Sequence, residues 1–431
     1  MTTTTAPAAS AAAALADRET LRLCTAGSVD DGKSTFVGRL LHDTKSVLAD
    51  QLASVERTSA DRGFEGLDLS LLVDGLRAER EQGITIDVAY RYFATDKRTF
   101  ILADTPGHVQ YTRNTVTGMS TSQVVVLLVD ARNGVVEQTI RHLTVAKLLG
   151  VRTVILAVNK IDLVGYSEET FNEIKAAFDA KAAELGIEDP HVVPISALKG
   201  DNVAERSAET SWYTGPTVLE LLETIPVNHG RADDLDFRFN IQYVLREHAT
   251  DYRAYAGRVN AGSVSVGDEI LAPHGRTTTV AGIDSTDGPV DTAHAGDSVA
   301  LRLADEIDLT RGDLLASGTR PEDVREFAAT VVGLTEKELR AGQAVKLRIG
   351  TAFVRARVAS VDRVLDIDSA AGDNTSPEAV ALNEIAHVTI QTADELPVEP
   401  YAARGAVGNF LLVDQSSGNT LAAGLVGKRL H

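Results

Sequence analysis

The sequence is poor in cysteine and positive charge. Cys24 is the only cysteine among 431 residues, which excludes an internal disulfide and a cysteine metal cluster and is typical of a reducing compartment. We expect Cys24 to be a buried strand residue and not a nucleophile. The 42 Lys and Arg residues stand against 61 Asp and Glu, a formal net charge of −19. This balance argues against a nucleic-acid-binding protein, because phosphate backbones are repelled.

Long hydrophobic runs are also missing. No stretch of 18 apolar residues occurs, so we expect no membrane-spanning helix and no membrane partner. The first 17 residues are rich in Thr and Ala and contain no Lys or Arg, unlike a secretory signal with its basic start. We therefore predict a disordered or weakly helical tail over residues 1–18 and a cytoplasmic protein. The 44% hydrophobic content is sufficient for a buried core.

Apolar runs and helical stretches alternate between Leu21 and Ile225. The predicted strands are Leu21–Ala26, Thr99–Asp104, Val124–Asp130, Thr153–Asn159 and His191–Ile195. Runs of this kind, rich in Val, Ile and Leu, are typical of strands buried on both faces of a parallel sheet. The predicted helices Ser34–Leu41, Gln138–Leu149 and Glu168–Leu185 are long enough to connect parallel strands. The pattern predicts an α/β domain over residues 19–228, closed by a helix at residues 217–225.

The remaining sequence changes character. Short alternating segments, beginning with Phe237–Val244, are separated by Gly, Asp and Pro, and a second break lies near Ser317–Glu322. Such spacing indicates small antiparallel β-barrels. We predict one barrel domain over residues 229–322 and another over residues 323–431, with a long surface loop at Asp366–Glu378.

Residues 27–34 fit the phosphate-binding pattern G-x-x-x-x-G-K-[ST], directly after a predicted strand and before a predicted helix, which is the context this motif requires. Backbone N–H groups of such a loop surround the β-phosphate, Lys33 reaches the β/γ oxygens, and Ser34 ligates Mg²⁺. The predicted nucleotide-binding residues of this P-loop are Gly27, Ser28, Val29, Asp30, Asp31, Gly32, Lys33, Ser34 and Thr35.

A second motif follows the predicted strand Thr99–Asp104. It consists of Asp104, Thr105, Pro106, Gly107 and His108, all assigned to the nucleotide site. Asp104 stands where a P-loop protein holds Mg²⁺, here through a water molecule. Gly107 can turn its N–H towards the γ-phosphate, and His108 would then lie beside the attacking water.

Thr85 lies between the P-loop and Asp104, where a switch segment belongs. A switch threonine gives its hydroxyl to Mg²⁺ and its N–H to the γ-phosphate, and both contacts are lost on hydrolysis. The alternative is an ordinary strand residue within Ile84–Ala89. We predict the switch role, so the catalytic residues are His108, Thr85 and Lys33, and the Mg²⁺ ligands are Ser34, Thr85 and Asp104.

Two further segments predict guanine as the base. Asp162, in the N-K-x-D pattern, can accept hydrogen bonds from N1–H and the 2-amino group of guanine, and adenine offers neither. Asn159 and Lys160 would brace the base and the P-loop. The backbone of Ser196, Ala197 and Leu198, after another predicted strand, would contact O6 of guanine. The sequence therefore predicts GTP rather than ATP.

These motifs, followed by two β domains, resemble the translational GTPases of the elongation factor Tu type. A closer similarity is to the large, GTP-hydrolysing subunit of bacterial sulfate adenylyltransferase, the CysN family, and it covers the chain from about Leu21 to its end. The segments that carry this similarity are residues 30–34, 38–45, 79–93, 110–114, 211–216 and 253–257.

The resemblance implies an enzyme subunit that couples GTP hydrolysis to the formation of adenylylsulfate and diphosphate from ATP and sulfate. It implies GTP and Mg²⁺ as cofactors and a heterodimer, or a higher assembly, with a small catalytic subunit of the CysD family. Some family members carry a fused adenylylsulfate kinase, but a second P-loop is missing from this sequence, so we do not expect that activity.

Two alternatives remain open. A translation factor that delivers aminoacyl-tRNA would share the switch chemistry and the architecture, although the barrels show no evident basic face. A regulatory GTPase switch without coupled catalysis would share the nucleotide site alone. The residues by themselves establish a Mg²⁺-dependent GTPase with switches and two β domains.

Overall fold

The computed structural model divides the chain into two compact units, Met1–Val227 and Asn228–His431. It describes residues 18–61, 63, 67–73, 88–107, 112–151, 153–226, 234–247, 252–365, 374–375, 377–402 and 407–430. The predicted tail, apart from residue 18, lies outside these ranges, as do Thr85, His108 and most of the predicted loop at residues 366–378. Within the described ranges, no helix has the length and apolar character needed to cross a membrane.

The first unit contains a six-stranded sheet. Its strands are β1 (Thr20–Gly27), β2 (Ala89–Ala94), β3 (Thr99–Asp104), β4 (Val124–Asp130), β5 (Thr153–Asn159) and β6 (His191–Pro194). Their order is β2-β3-β1-β4-β5-β6; only the β2–β3 pair is antiparallel. Every residue of β4 is buried, as expected for a parallel strand covered on both faces. The five predicted strands are confirmed to within one residue at each end, and β2 is an addition.

Helices connect these strands. They are α1 (Lys33–Asp43), α2 (Ala49–Asp61), α3 (Thr112–Ser120), α4 (Glu137–Leu148), α5 (Glu168–Glu184) and α6 (Val218–Thr224), with short 3-10 turns at Leu69–Leu72 and Ile161–Val164. The predicted closing helix is α6. Its start is fixed by a capping box, in which Thr217 Oγ1 accepts from the Glu220 N–H (3.1 Å) and the Glu220 carboxylate accepts from the Thr217 N–H (2.8 Å).

Cys24 lies in β1 and is fully buried, which confirms the expected strand position. Burial is the main cause that raises the pKa of its thiol. A buried thiol that stays protonated is a poor nucleophile, in line with the structural role expected for Cys24.

The second unit is built from antiparallel strands. They are β7 (Arg238–Glu247), β8 (Tyr252–Ala261), β9 (Ser263–Ser265), β10 (Glu269–Ala272), β11 (Arg276–Ser285), β12 (Gly288–Val290), β13 (Thr292–His294), β14 (Ser298–Leu303), β15 (Leu314–Ala316), β16 (Asp323–Gly333), β17 (Leu339–Arg340), β18 (Ala344–Ile349), β19 (Ala352–Leu365), β20 (Asn374–Thr375), β21 (Ala379–Val380), β22 (Ile385–Pro397), β23 (Asn409–Val413) and β24 (Thr420–Val426).

Two of its sheets have seven strands each. In the first, β10 pairs with both β15 and β11, and in the second, β18 pairs with both β23 and β19. These pairings close six strands of each sheet into a barrel, and the seventh strand, β12 or β20, extends one hairpin of it. The fold class is therefore as predicted, an α/β domain with a P-loop after its first strand, followed by two antiparallel β-barrels. The domain boundaries at residues 228/229 and 322/323 stay predictions.

Candidate nucleotide-binding site

The P-loop joins the end of β1 to the start of α1, as its motif predicts. Two of its residues adopt the left-handed conformation, Asp30 (φ 65°) and Gly32 (φ 88°). A Cβ atom on Gly32 would lie 2.4 Å from Nδ2 of Asn159. Glycine is therefore required at this position both by its backbone conformation and by the close approach of the Asn159 amide.

Lys33 is buried inside this loop, with 8% of its surface exposed. Its ammonium donates to the carbonyl oxygens of Gly27 (3.0 Å) and Ser28 (2.5 Å). Burial lowers the pKa of Lys33, against the opposing influence of the Asp31, Asp104 and Asp30 carboxylates. A desolvated ammonium of this kind is stabilised by an anionic ligand, so the loop fits a phosphate group.

The segment after β3 approaches the same ammonium. A Cβ atom on Gly107 would lie 2.3 Å from Lys33 Nζ, so a side chain at Gly107 would displace the lysine. Thr105 Oγ1 donates to the carbonyl oxygen of Thr25 in β1 (2.6 Å), and Thr115 Oγ1 in α3 donates to that of Pro106 (3.2 Å). These bonds fix the segment beside the P-loop.

Asp104 ends β3 and is fully buried. Thr25 lies opposite it on β1 and donates its hydroxyl to Asp104 Oδ1 (2.9 Å). Ser34 lies in the first turn of α1 and is partly exposed. In the described part of the chain, no group of three or more His, Cys, Asp and Glu side chains could hold a metal. One carboxylate and one hydroxyl still fit Mg²⁺, which keeps several waters and takes further oxygens from phosphate.

Asn159, at the end of β5, connects the phosphate side of the site to the base side. Its Nδ2 donates to the carbonyl oxygen of Asp31 (2.7 Å), and its Oδ1 accepts from the Ala197 N–H (2.9 Å). Lys160 donates to the carbonyl oxygen of Asp30 (2.5 Å). Both residues therefore contact the P-loop in the way that the sequence predicted.

The residues predicted to contact guanine follow β5 and β6. Asp162 lies in the 3-10 turn Ile161–Val164, and its side chain is 9% exposed. Ser196 and Ala197 are buried, whereas Leu198 is 49% exposed. Since Asn159 bonds the backbone of Ala197 directly, these two segments lie at one end of the sheet, next to the P-loop.

The remaining predicted positions are simpler to place. Val29 is exposed in the P-loop, and Thr35 is partly exposed in the first turn of α1. Thr85 and His108 lie outside the described residues, so their catalytic roles stay predictions.

Two residues that make contacts at this site were not predicted from the sequence. Arg39 of α1 donates to the carbonyl oxygens of Ala197 (3.0 Å) and Leu198, and no local pattern indicates this contact. Asp130, at the end of β4, pairs with Lys160 (2.9 Å) and with Arg132. The hydrogen bonds from Arg132 are the largest cause that holds the pKa of Asp130 well below its usual range. Asp130 could have been identified from the sequence, because it stands at the end of a predicted buried strand.

Comparisons with known proteins show which families the chain resembles. Residues 18–228 match the family model of the elongation factor Tu GTP binding domain, and residues 326–427 match the GTP-eEF1A C-terminal domain-like family. Sulfate adenylyltransferase subunit 1 of Citrobacter koseri is 48% identical over 94% of this chain and 86% of its own length. The bifunctional enzyme CysN/CysC of Mycobacterium tuberculosis is 50% identical over 94% of this chain and 67% of its own length.

Among solved structures, the GTP-bound Ski7 GTPase-like domain of S. cerevisiae covers 99% of this chain with a TM-score of 0.52 and 17% identity, and the match spans 100% of that domain. At this identity the likeness concerns the fold alone.

Proposed function

The chain belongs to the family of sulfate adenylyltransferase subunit 1 (CysN), and from this premise we propose that it is the GTP-hydrolysing subunit of a heteromeric sulfate adenylyltransferase. In this role it couples GTP hydrolysis to the formation of adenylylsulfate and diphosphate from ATP and sulfate. The supporting observation is the 48% identity over 86% of a subunit 1, a likeness that extends beyond the GTPase domain. The P-loop with its enclosed lysine supports the nucleotide half of the proposal.

The P-loop, Lys33 and the amino end of α1 form the part of the site that would bind the phosphates of GTP and support its hydrolysis. Phosphoryl transfer needs mainly positioning and charge stabilisation from the protein. The Lys33 ammonium and the positive amino end of α1 face the P-loop and would hold the β- and γ-phosphates. When bound, Mg²⁺ would neutralise charge on the phosphate oxygens, held by Ser34, by Thr85 and, through water, by Asp104. His108 would orient the attacking water.

The base side selects the nucleotide. The Asp162 carboxylate would accept two N–H bonds from guanine, and the backbone of the segment Ser196–Leu198 would donate a hydrogen bond to O6. Asn159 and Lys160 hold this region against the P-loop through the carbonyl oxygens of Asp31 and Asp30. Asn159 and Lys160 thereby connect the residues that recognise the base to the loop that binds the phosphates.

Coupling requires a second subunit, and the name of the relatives, sulfate adenylyltransferase subunit 1, also implies one. Adenylylsulfate is a mixed anhydride of phosphate and sulfate, so its formation from ATP is strongly uphill. The adenylyl transfer would take place on a small subunit of the CysD family, in a cytoplasmic heterodimer or larger assembly, and GTP hydrolysis on this chain would drive it.

The test is a coupled assay of GTP hydrolysis and adenylylsulfate formation, with and without a CysD-type small subunit. We expect the small subunit, ATP and sulfate together to stimulate GTP hydrolysis, and GTP to increase the yield of adenylylsulfate. A rate of GTP hydrolysis that does not change when ATP and sulfate are added would instead indicate a regulatory switch. Recovery of tRNA or ribosomes with the tagged chain, without the small subunit, would indicate a translation factor.

His108→Ala is expected to lower GTP hydrolysis about 10²-fold, the low end of a positioning contribution, with GTP affinity nearly unchanged. The physical reason is that the imidazole acts on the attacking water and not on the bound nucleotide. Single-turnover hydrolysis with partner, ATP and sulfate measures this. His294→Ala, at an exposed histidine of the first barrel, is the control. A wild-type rate in His108→Ala would mean that another group holds the water.

A further inference from the structure

A side-chain network joins the turn that carries Asp162 to the loop that carries Ser196–Leu198. The Tyr166 hydroxyl donates to Asp201 Oδ2 (3.0 Å) and accepts from Lys199 Nζ (3.3 Å). Lys199 Nζ also lies 5.4 Å from the centroid of the Tyr166 ring and 3.9 Å from Asp162 Oδ2. An ammonium group is thus placed between a tyrosine and the carboxylate that we assign to guanine.

Tyr166 is held in place by its backbone. It adopts the left-handed conformation (φ 56°), which is uncommon for a bulky residue. Its N–H donates to the carbonyl oxygen of Ile161 (2.9 Å), and its own carbonyl accepts from Nε1 of Trp212 (3.0 Å). The phenol is therefore fixed relative to the turn Ile161–Val164 in which Asp162 lies.

Asp201 is fixed to the other loop. Its carbonyl oxygen accepts from the Ser196 N–H (3.2 Å), and its Oδ1 accepts from Ser207 Oγ (2.7 Å). The bond between Tyr166 and Asp201 consequently ties the two predicted guanine-contacting segments to each other. Lys199 extends from the second segment back to Asp162 in the first.

From this geometry we propose that Lys199, held by Tyr166 and Asp201, is a positioning residue for base selection. It fixes the rotation of the Asp162 carboxylate so that one oxygen faces N1–H and the other faces the 2-amino group of guanine. This inference rests on the proposed role of Asp162. Without the ammonium the carboxylate can rotate, which keeps one acceptor for N1–H but misplaces the second acceptor.

Hypoxanthine nucleotides separate this role from general structural damage, because hypoxanthine has the N1–H of guanine and lacks the 2-amino group. We expect Lys199→Met to weaken GDP binding about threefold, the scale of a half-exposed ion pair, and to leave IDP binding nearly unchanged. Tyr166→Phe removes only the hydroxyl that holds the ammonium, so its effect has the same direction. Isothermal titration of both nucleotides gives the ratio of their affinities.

Three further variants make the test decisive. Lys199→Arg should restore most of the GDP preference, and the Lys199→Met/Tyr166→Phe double variant should be no worse than Lys199→Met alone, because both act through one contact. Lys181→Met, at an α5 lysine that pairs with Glu184 (2.8 Å), is the matched control and should keep the wild-type ratio.

An unchanged GDP:IDP ratio in Lys199→Met, or equal losses for both nucleotides, would overturn the positioning role. If Asp162→Asn also leaves base preference unchanged, the assignment of Asp162 to guanine has failed, and this inference fails with it. A shift in Asp162→Asn without a shift in Lys199→Met overturns the positioning role alone.

Discussion

Lys33→Ala is expected to abolish tight GTP binding, with an affinity loss of about 10²- to 10³-fold, the scale of removing one partner of a buried charge pair. The ammonium is enclosed by the P-loop, and within the part of the chain that the structure describes its hydrogen bonds go to the Gly27 and Ser28 carbonyl oxygens. Phosphate oxygens would complete its coordination. Without it, the bound phosphates keep their negative charge in a desolvated loop and lose the nearest cation.

Loss of binding must be separated from loss of folding. Burial lowers the pKa of Lys33 in the folded chain, so the charged side chain opposes folding of the nucleotide-free protein at neutral pH. We therefore expect the Tm of nucleotide-free Lys33→Ala to equal or exceed that of the wild type. Titration with a fluorescent GTP analogue at physiological Mg²⁺ measures the affinity, and Lys181→Ala, on the surface of α5, is the control. Wild-type affinity in Lys33→Ala would refute the P-loop assignment.

The central part of this site could be predicted from sequence because its residues follow buried parallel strands. Gly27, Asp104 and Asn159 end β1, β3 and β5, and the carboxyl ends of parallel strands meet at one edge of a sheet. A local pattern at the end of each strand therefore predicts a shared location. The bonds from Asn159 and Lys160 to the P-loop carbonyls follow from the same rule.

Contacts that depend on side-chain reach could not be predicted in this way. Arg39 and Ala197 are 158 positions apart in sequence, and neither residue stands in a pattern that indicates the other. Tyr166 and Asp201 meet because a left-handed residue turns the chain after Ile161–Val164; a tyrosine at that conformation carries no sequence signal. Strand spacing predicted the two barrels but not which strands pair in them: β10–β11 and β18–β19 are local hairpins, whereas β10–β15 joins strands far apart in sequence.

Asp162→Asn is expected to reverse base preference from guanine towards xanthine. Guanine presents two N–H donors to the carboxylate, at N1 and at the 2-amino group. The asparagine amide would meet the 2-amino group with its own NH₂, donor against donor. Xanthine has a carbonyl oxygen in place of that amino group, so it accepts from the asparagine NH₂ while its N1–H still donates to the asparagine oxygen.

The expected size follows from the two changes together. A bidentate base contact is worth about 1–3 kcal/mol by analogy with groove readout, and Asp162→Asn weakens GDP and strengthens XDP at once. The ratio of the two affinities should therefore move by about 10²-fold or more. Competition between GDP and XDP for the nucleotide-free protein measures this ratio. Asp179→Asn, at an exposed α5 carboxylate paired with Lys175, should leave the ratio at its wild-type value. Unchanged GDP affinity in Asp162→Asn, with no gain for XDP, would mean that the base is read elsewhere, because a carboxylate that contacts both donors cannot become an amide without losing one of them.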